Sequence, residues 1–179
     1  MPKRIVHLLI SFLVILPMNS FGTVYYSKLE ALELAFGKEA DVEMKSIFMT
    51  DEQIAEVEKA AKAKLESKLF TFYLGRKNGE VVGYAAIESH TVRTKPETLM
   101  IVLSSQGQVT AVHVLAFHEP PEYQPPERWF SQLLGTPREQ LQLNRGVDGI
   151  TGATLSTRSA VQSTRKVLAI YQLTLEKHG

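Results

Sequence analysis

The segment Leu69–Val92, "LFTFYLGRKNGEVVGYAAIESHTV", decides the fold. Two runs of roughly alternating apolar and polar residues flank Lys77-Asn78-Gly79-Glu80, where Asn-Gly supplies the positive φ angles of a hairpin turn. Toward the C-terminus, "TLMIVLSS" (Thr98–Ser105) reads as a third strand, Gln106-Gly107-Gln108 as a turn, and "VTAVHVLAF" (Val109–Phe117) as a fourth strand. Three tight connections favour an antiparallel meander, because parallel strands need crossovers of a dozen or more residues.

Helices are expected on either side of these strands. Thr50-Asp51-Glu52-Gln53 has the form of a capping box, and the helix-forming residues that follow carry one stripe, Ile54, Val57, Ala61 and Leu65, toward Lys68. Before it, Asp41–Met49 alternates roughly, as a strand would. Tyr26–Phe36 places Leu29, Leu32 and Phe36 at helical spacing ahead of Gly37. After the strands, His118–Trp129 holds four prolines and reads as a loop. Arg128–Gly135 and the segment from Thr136, with Pro137 at its first position, read as short helices. From Leu155 to Lys177 a final helix gathers Val161, Val167, Leu168, Tyr171 and Leu175 on one face. The expected class is α+β, an antiparallel sheet packed against helices.

The chain has 179 residues, 44% hydrophobic and 22% charged, enough for one domain with a real core. Its formal charge of +1 gives no preference for nucleic acid. It has no cysteine, which excludes disulfides, thiol chemistry, iron–sulfur clusters and thiolate zinc sites. No two histidines share an element at metal-ligand spacing, so no metal site is expected. The N-terminus has the layout of a secretory signal peptide: Lys3 and Arg4, an apolar run from Ile5 to Leu16, then Ser20 and Gly22 around Phe21. The run is shorter than a spanning helix needs, so cleavage after Gly22 is favoured over an uncleaved anchor. Cleavage removes two of the 20 basic residues and none of the 19 acidic ones, taking the charge from +1 to −1. The chain then divides into a signal segment (1–22), an N-terminal helical segment (23–68) and a domain (69–179).

One stretch carries the functional signal. "DGITGATLSTRSA" (Asp148–Ala160) sets Thr151, Thr154, Ser156, Thr157 and Ser159 around Gly152-Ala153, just ahead of the last helix. Small residues before a helix let an anion approach bare backbone N–H groups, and the helix dipole adds to the attraction. A simple N-cap is the other reading of the same residues. The stretch lacks the Gly-Lys-Ser/Thr ending of a P-loop and the Gly-x-Ser-x-Gly of a nucleophile elbow.

Asp148-Gly149-Ile150-Thr151-Gly152-Ala153-Thr154 resembles the Asp-x-x-Ser/Thr-Gly-Ala-Thr flavinylation motif of FMN-binding domains. Such domains occur in subunits of Rnf-type electron-transport complexes and of sodium-pumping NADH:quinone reductases. The likeness spans roughly residues 70 to 177. It implies covalent FMN, joined through its phosphate to Thr154 by a flavin transferase that uses FAD. It implies that Thr151, Gly152 and Ala153 keep that threonine sterically bare, and that the transferase reads Asp148, the alternative for Asp148 being an Asx turn with Gly149. Thr151 and Thr157 are candidate donors to the phosphate, or else a turn residue and a hydroxyl bonded back into its own helix. Arg158 is a candidate partner for the phosphate or a solvated arginine. His118 and Glu119 match a His/Glu segment that the family carries near its flavin, and are candidates to bond the isoalloxazine or ribityl chain; an ordinary exposed loop is the alternative. Tyr123 and Trp129 either stack on the flavin or anchor the loop.

The family's large-complex subunits are usually anchored by an N-terminal helix and carry extra segments, whereas this chain is short and its leader looks cleavable. The expectation is a periplasmic electron carrier, with membrane association left open, whose partners are the transferase and redox proteins, a membrane electron-transport complex among them. The competing expectations are an exported interaction domain without cofactor and a reversible FMN binder.

Overall fold

The computed structural model describes residues 22–176. The expected signal segment lies outside the described residues, Gly22 excepted. Six antiparallel strands form one sheet: β1 (Thr23–Val24), β2 (Asp41–Phe48), β3 (Leu69–Lys77), β4 (Glu80–Thr91), β5 (Pro96–Ser104) and β6 (Val109–Phe117). The sheet order is β1-β6-β5-β4-β3-β2. The centre is the expected meander. Asn78 (φ 52°) and Gly79 (φ 83°) make its first turn with left-handed backbone, as the Asn-Gly pair requires. Both edges come from residues before 69, with β1 on β6 and β2 on β3, so the segment 23–68 and the meander share one sheet.

Four α-helices cover the sheet: α1 (Lys28–Phe36), α2 (Asp51–Ala61), α3 (Glu127–Phe130) and α4 (Thr154–Thr174). Because strand side chains alternate, the sheet has two buried faces. On one, Ala85, Met100, Val102 and Leu115 pack against Ala31, Leu32 and Phe36 of α1. Gly75 makes this approach possible, since a Cβ there would fall 2.4 Å from the Phe36 ring. Leu29, one of the three residues at helical spacing, is 69% exposed, whereas Leu32 and Phe36 are buried. On the other face Phe72, Leu99, Ile101 and Leu103 meet α2 and α4.

Three helical expectations are corrected. The helix from Asp51 stops at Ala61 instead of continuing to Lys68, and Lys62 is left-handed. The reason is a buried arginine: Arg165 of α4 donates Nη2 to Ala60 O (2.8 Å) and Nε to Ala61 O (2.9 Å), the carbonyls a longer helix would use. The same guanidinium donates Nη1 to Arg138 O (3.0 Å) and Leu141 O (3.1 Å). The segment from Thr136 is therefore only a 3-10 turn, Arg138–Gln140, with Pro137 just before it. The helix expected over 128–135 is one α turn, α3, followed by a 3-10 turn at Ser131–Leu133.

Candidate functional site

The last helix, α4, forms as its pattern requires, and Val161, Val167, Leu168, Tyr171 and Leu175 are all buried. Its beginning is unusual. Ala153 occupies the N-cap, and no side chain caps the helix. The first-turn N–H groups, at Thr154, Leu155 and Ser156, have no carbonyl partner within the helix. The N-cap reading of this hydroxyl-rich stretch is thus not what the structure shows.

The five hydroxyls divide by burial. Ser156 and Thr157 are fully buried. Ser156 Oγ donates to Tyr123 O (2.6 Å), and Thr157 Oγ1 donates back to Thr154 O (3.0 Å). Thr157 therefore bonds into its own helix and does not face the bare helix start. Ser159 is half-buried, and Thr151 and Thr154 are exposed. Thr154 Oγ1 donates to Ile150 O (3.1 Å) and is open to solvent. Gly152 precedes it at φ +90°, a left-handed conformation that a side chain disfavours, with no atom within 4 Å of where a Cβ would stand. The approach to Thr154 is bare on that side.

The loop leading into this turn is held from behind. Trp129 is buried, and its Nε1 donates to Asp148 O (2.7 Å); Asp148 N–H donates to Gln132 Oε1 (2.8 Å). Trp129 is thus the loop anchor, the second of the roles open to it. The Asp148 side chain is left at an exposed position. Arg158 is exposed as well, on the first turns of α4.

Opposite Thr154 stands the end of β4. A pocket of about 200 Å³ is lined by Arg93, Tyr123, Gly152, Thr154 and Leu155, among others. The Arg93 guanidinium lies over the Tyr123 ring, 4.8 Å from its centroid. Glu119 builds this wall. It is buried, and its Oε1 accepts from the N–H groups of Arg93 (3.0 Å), Thr94 (2.6 Å) and Lys95 (2.8 Å). Burial works against the charged form, but the three N–H donors and the Arg93 charge outweigh it and hold the carboxyl below its ordinary range. Glu119 is thus not an ordinary exposed loop residue: its Oε1 shapes the loop that presents Arg93. His118 is half-buried, and its ring packs on Gly22, where a Cβ would come within 1.8 Å of Nδ1.

Sequence reasoning missed Arg93. The available signal was the basic "TVRTK" between two strands, which became informative only once Glu119 brought that turn beside α4. Among the described residues no cluster of three or more His, Asp or Glu is arranged to hold a metal ion. No described helix is long and apolar enough to cross a membrane.

Bare N–H donors, a helix dipole, a cation and an exposed hydroxyl together fit an esterified phosphate. Residues 94–169 match the family model of the FMN-binding domain. The chain carries an FMN-binding domain. The match begins beside Arg93, takes in β5, β6, the proline-rich loop and the Thr154 turn, and ends within α4. The chain is also similar to one of the subunits of the Na(+)-translocating ferredoxin:NAD(+) oxidoreductase complex of Acetobacterium woodii. Identity is 25%, over 59% of this chain and 56% of that protein, so the chain spans about half the length of the curated relative it matches. No solved structure matches the chain.

Proposed function

We propose that this FMN-binding domain is an exported electron-transfer flavoprotein that carries FMN covalently, through a phosphoester at Thr154. One observation carries the reading: in a domain of this family, the residue at the motif's last position is an exposed hydroxyl at the uncapped start of a long helix. Attachment needs an FAD-dependent transferase. The Thr154 oxygen attacks the FMN phosphorus of FAD, the pyrophosphate bond breaks, AMP leaves, and the hydroxyl proton is lost to solvent or base. Gly152 and Ala153 leave room for that attack. The new ester places its remaining anionic oxygen among the N–H donors of the first turn, with Arg93 across the pocket.

The flavin supplies the redox chemistry when bound, and the chain holds and orients it. The role is that of a redox carrier passing electrons between protein partners. The likeness to a subunit of an ion-translocating oxidoreductase supports a membrane electron-transport complex as one such partner. The charged, short apolar leader supports export to the periplasm.

The test is co-expression with a flavin transferase, followed by denaturation. Flavin that stays with the chain through unfolding, and is absent from Thr154→Ala, is the expected result. Colour released on unfolding would establish reversible binding instead, and a colourless chain would favour an interaction domain.

A further inference from the structure

A second cleft opens along α4. It lies between that helix and β4 and has a volume of about 380 Å³, within the roughly 300–1,000 Å³ of small-molecule sites. Ser159, Gln162, Ser163 and Lys166 form its helical wall, and Glu88 and His90 stand on the sheet side. The residues of both walls are next to those of the Thr154 pocket along the chain. Thr91 of this cleft is followed by Val92 and Arg93 of the other, and Ser159 stands one turn beyond Leu155. From Leu155 to Gln162 the helix rises about 10 Å, a span that a ribityl chain and the ring beyond it can cover.

A partly buried polar chain backs the cleft. Ser163 Oγ lies 3.3 Å from His90 Nδ1, and His90 Nε2 lies 3.0 Å from Glu97 Oε2. Glu97 is fully buried, and its Oε1 has no hydrogen-bond partner. Folded proteins seldom leave such an atom unpaired without a use for the group. Lys166 pairs with Glu88 beside it, and Lys64 and Glu66 face the cleft from the segment after α2.

Ser, His and Glu in this order have the composition of a nucleophile triad. Ser163 sits mid-helix, however, where backbone N–H groups are already bonded to carbonyls and cannot stabilise an oxyanion. What the chain offers here is an oriented hydroxyl on the wall of a cleft.

We propose that this cleft seats the isoalloxazine ring of the FMN tethered at Thr154, with the Ser163 hydroxyl, positioned by His90 and Glu97, hydrogen-bonded to the ring's polar edge. The proposal rests on the attachment reading. Leu155, at 40% exposure, is the residue the ribityl chain crosses between the two pockets, and Phe70 and Leu65 give the ring apolar contact.

The test uses the FMN-loaded full chain, with the adduct confirmed by mass spectrometry in each variant. Gln162→Phe fills the cleft from an exposed position; Ser163→Ala removes the hydroxyl and Ser163→Thr keeps one. A seated ring has most of its surface covered, so Gln162→Phe should raise iodide quenching of flavin fluorescence about two-fold or more. Ser163→Ala should shift the visible absorption band while quenching stays near wild type, and Ser163→Thr should keep the wild-type band. If the adduct forms on Thr154 and every variant matches wild type in both readouts, the seat is overturned and attachment stands. If wild type carries no adduct, attachment fails and the seat with it.

Discussion

Helices α1 and α2 begin sealed, whereas α4 begins bare. Ser27 accepts from Glu30 N–H while Glu30 accepts from Ser27 N–H, and Thr50 and Gln53 repeat the arrangement on α2. The start of α4 lies in the stretch richest in hydroxyls, yet none of them serves as a cap. Hydroxyls at a helix start usually meet the orphan donors of the first turn. Here Ser156 and Thr157 are turned inward to carbonyls, and Thr154 is left at the surface. The difference separates a helix start that is finished within the chain from one that has donors and a hydroxyl to spare for a ligand.

The largest expected effect lies at the far end of α2, which is sealed by Arg165 as its N-terminus is by Thr50. Arg165→Ala strips charged donors from four carbonyls, those of Ala61 and Leu141 among them buried, and should lower stability by about 3 kcal/mol. Urea unfolding measures it; a loss below about 1 kcal/mol would mean that water replaces the guanidinium readily. Next comes the direct contrast of the two threonines. Thr50→Ala should cost about 1 kcal/mol. Thr154→Ala should change stability by less than about 0.5 kcal/mol, as surface substitutions do. Equal losses would show that Thr154 caps α4 in solution and would erase the distinction.

A smaller effect, confined to acid, concerns the wall facing Thr154. Glu119 titrates below its ordinary value of 4.5 in the folded chain. Its contribution to stability is therefore complete above that pH and is lost as pH falls through the folded value. Glu119→Gln lacks this component. The stability gap between wild type and variant should be constant near neutrality and close below pH 4.5. A gap that persists at the lowest pH would assign the role of Glu119 to shape instead of charge.

The meander was legible because turn chemistry and alternation agree: Asn78-Gly79 names its own turn, and a turn that tight pairs the strands on either side with each other. Capping boxes were legible for the same local reason. Helix ends were not. Nothing near Lys62 announces that an arginine about a hundred residues later will claim the carbonyls of Ala60 and Ala61. The motif placed Thr154 correctly at a helix boundary, but left open which hydroxyls point inward, since that depends on Tyr123 and the packing of α4. Glu119 and Arg93 lie far apart in sequence and are joined by hydrogen bonds from the backbone of residues 93–95 to the Glu119 carboxylate, so neither the burial of Glu119 nor the placement of Arg93 was legible in the sequence.

The central claim is that the bare helix start exists to carry FMN on Thr154. Peptide mass spectrometry of the chain co-expressed with an FAD-dependent flavin transferase tests it most directly. The account predicts one FMN phosphoester per chain, localised by fragmentation to Thr154, with Thr151, Ser156, Thr157 and Ser159 unmodified. An adduct on any of those four hydroxyls, or retention of the adduct in Thr154→Ala, would contradict it.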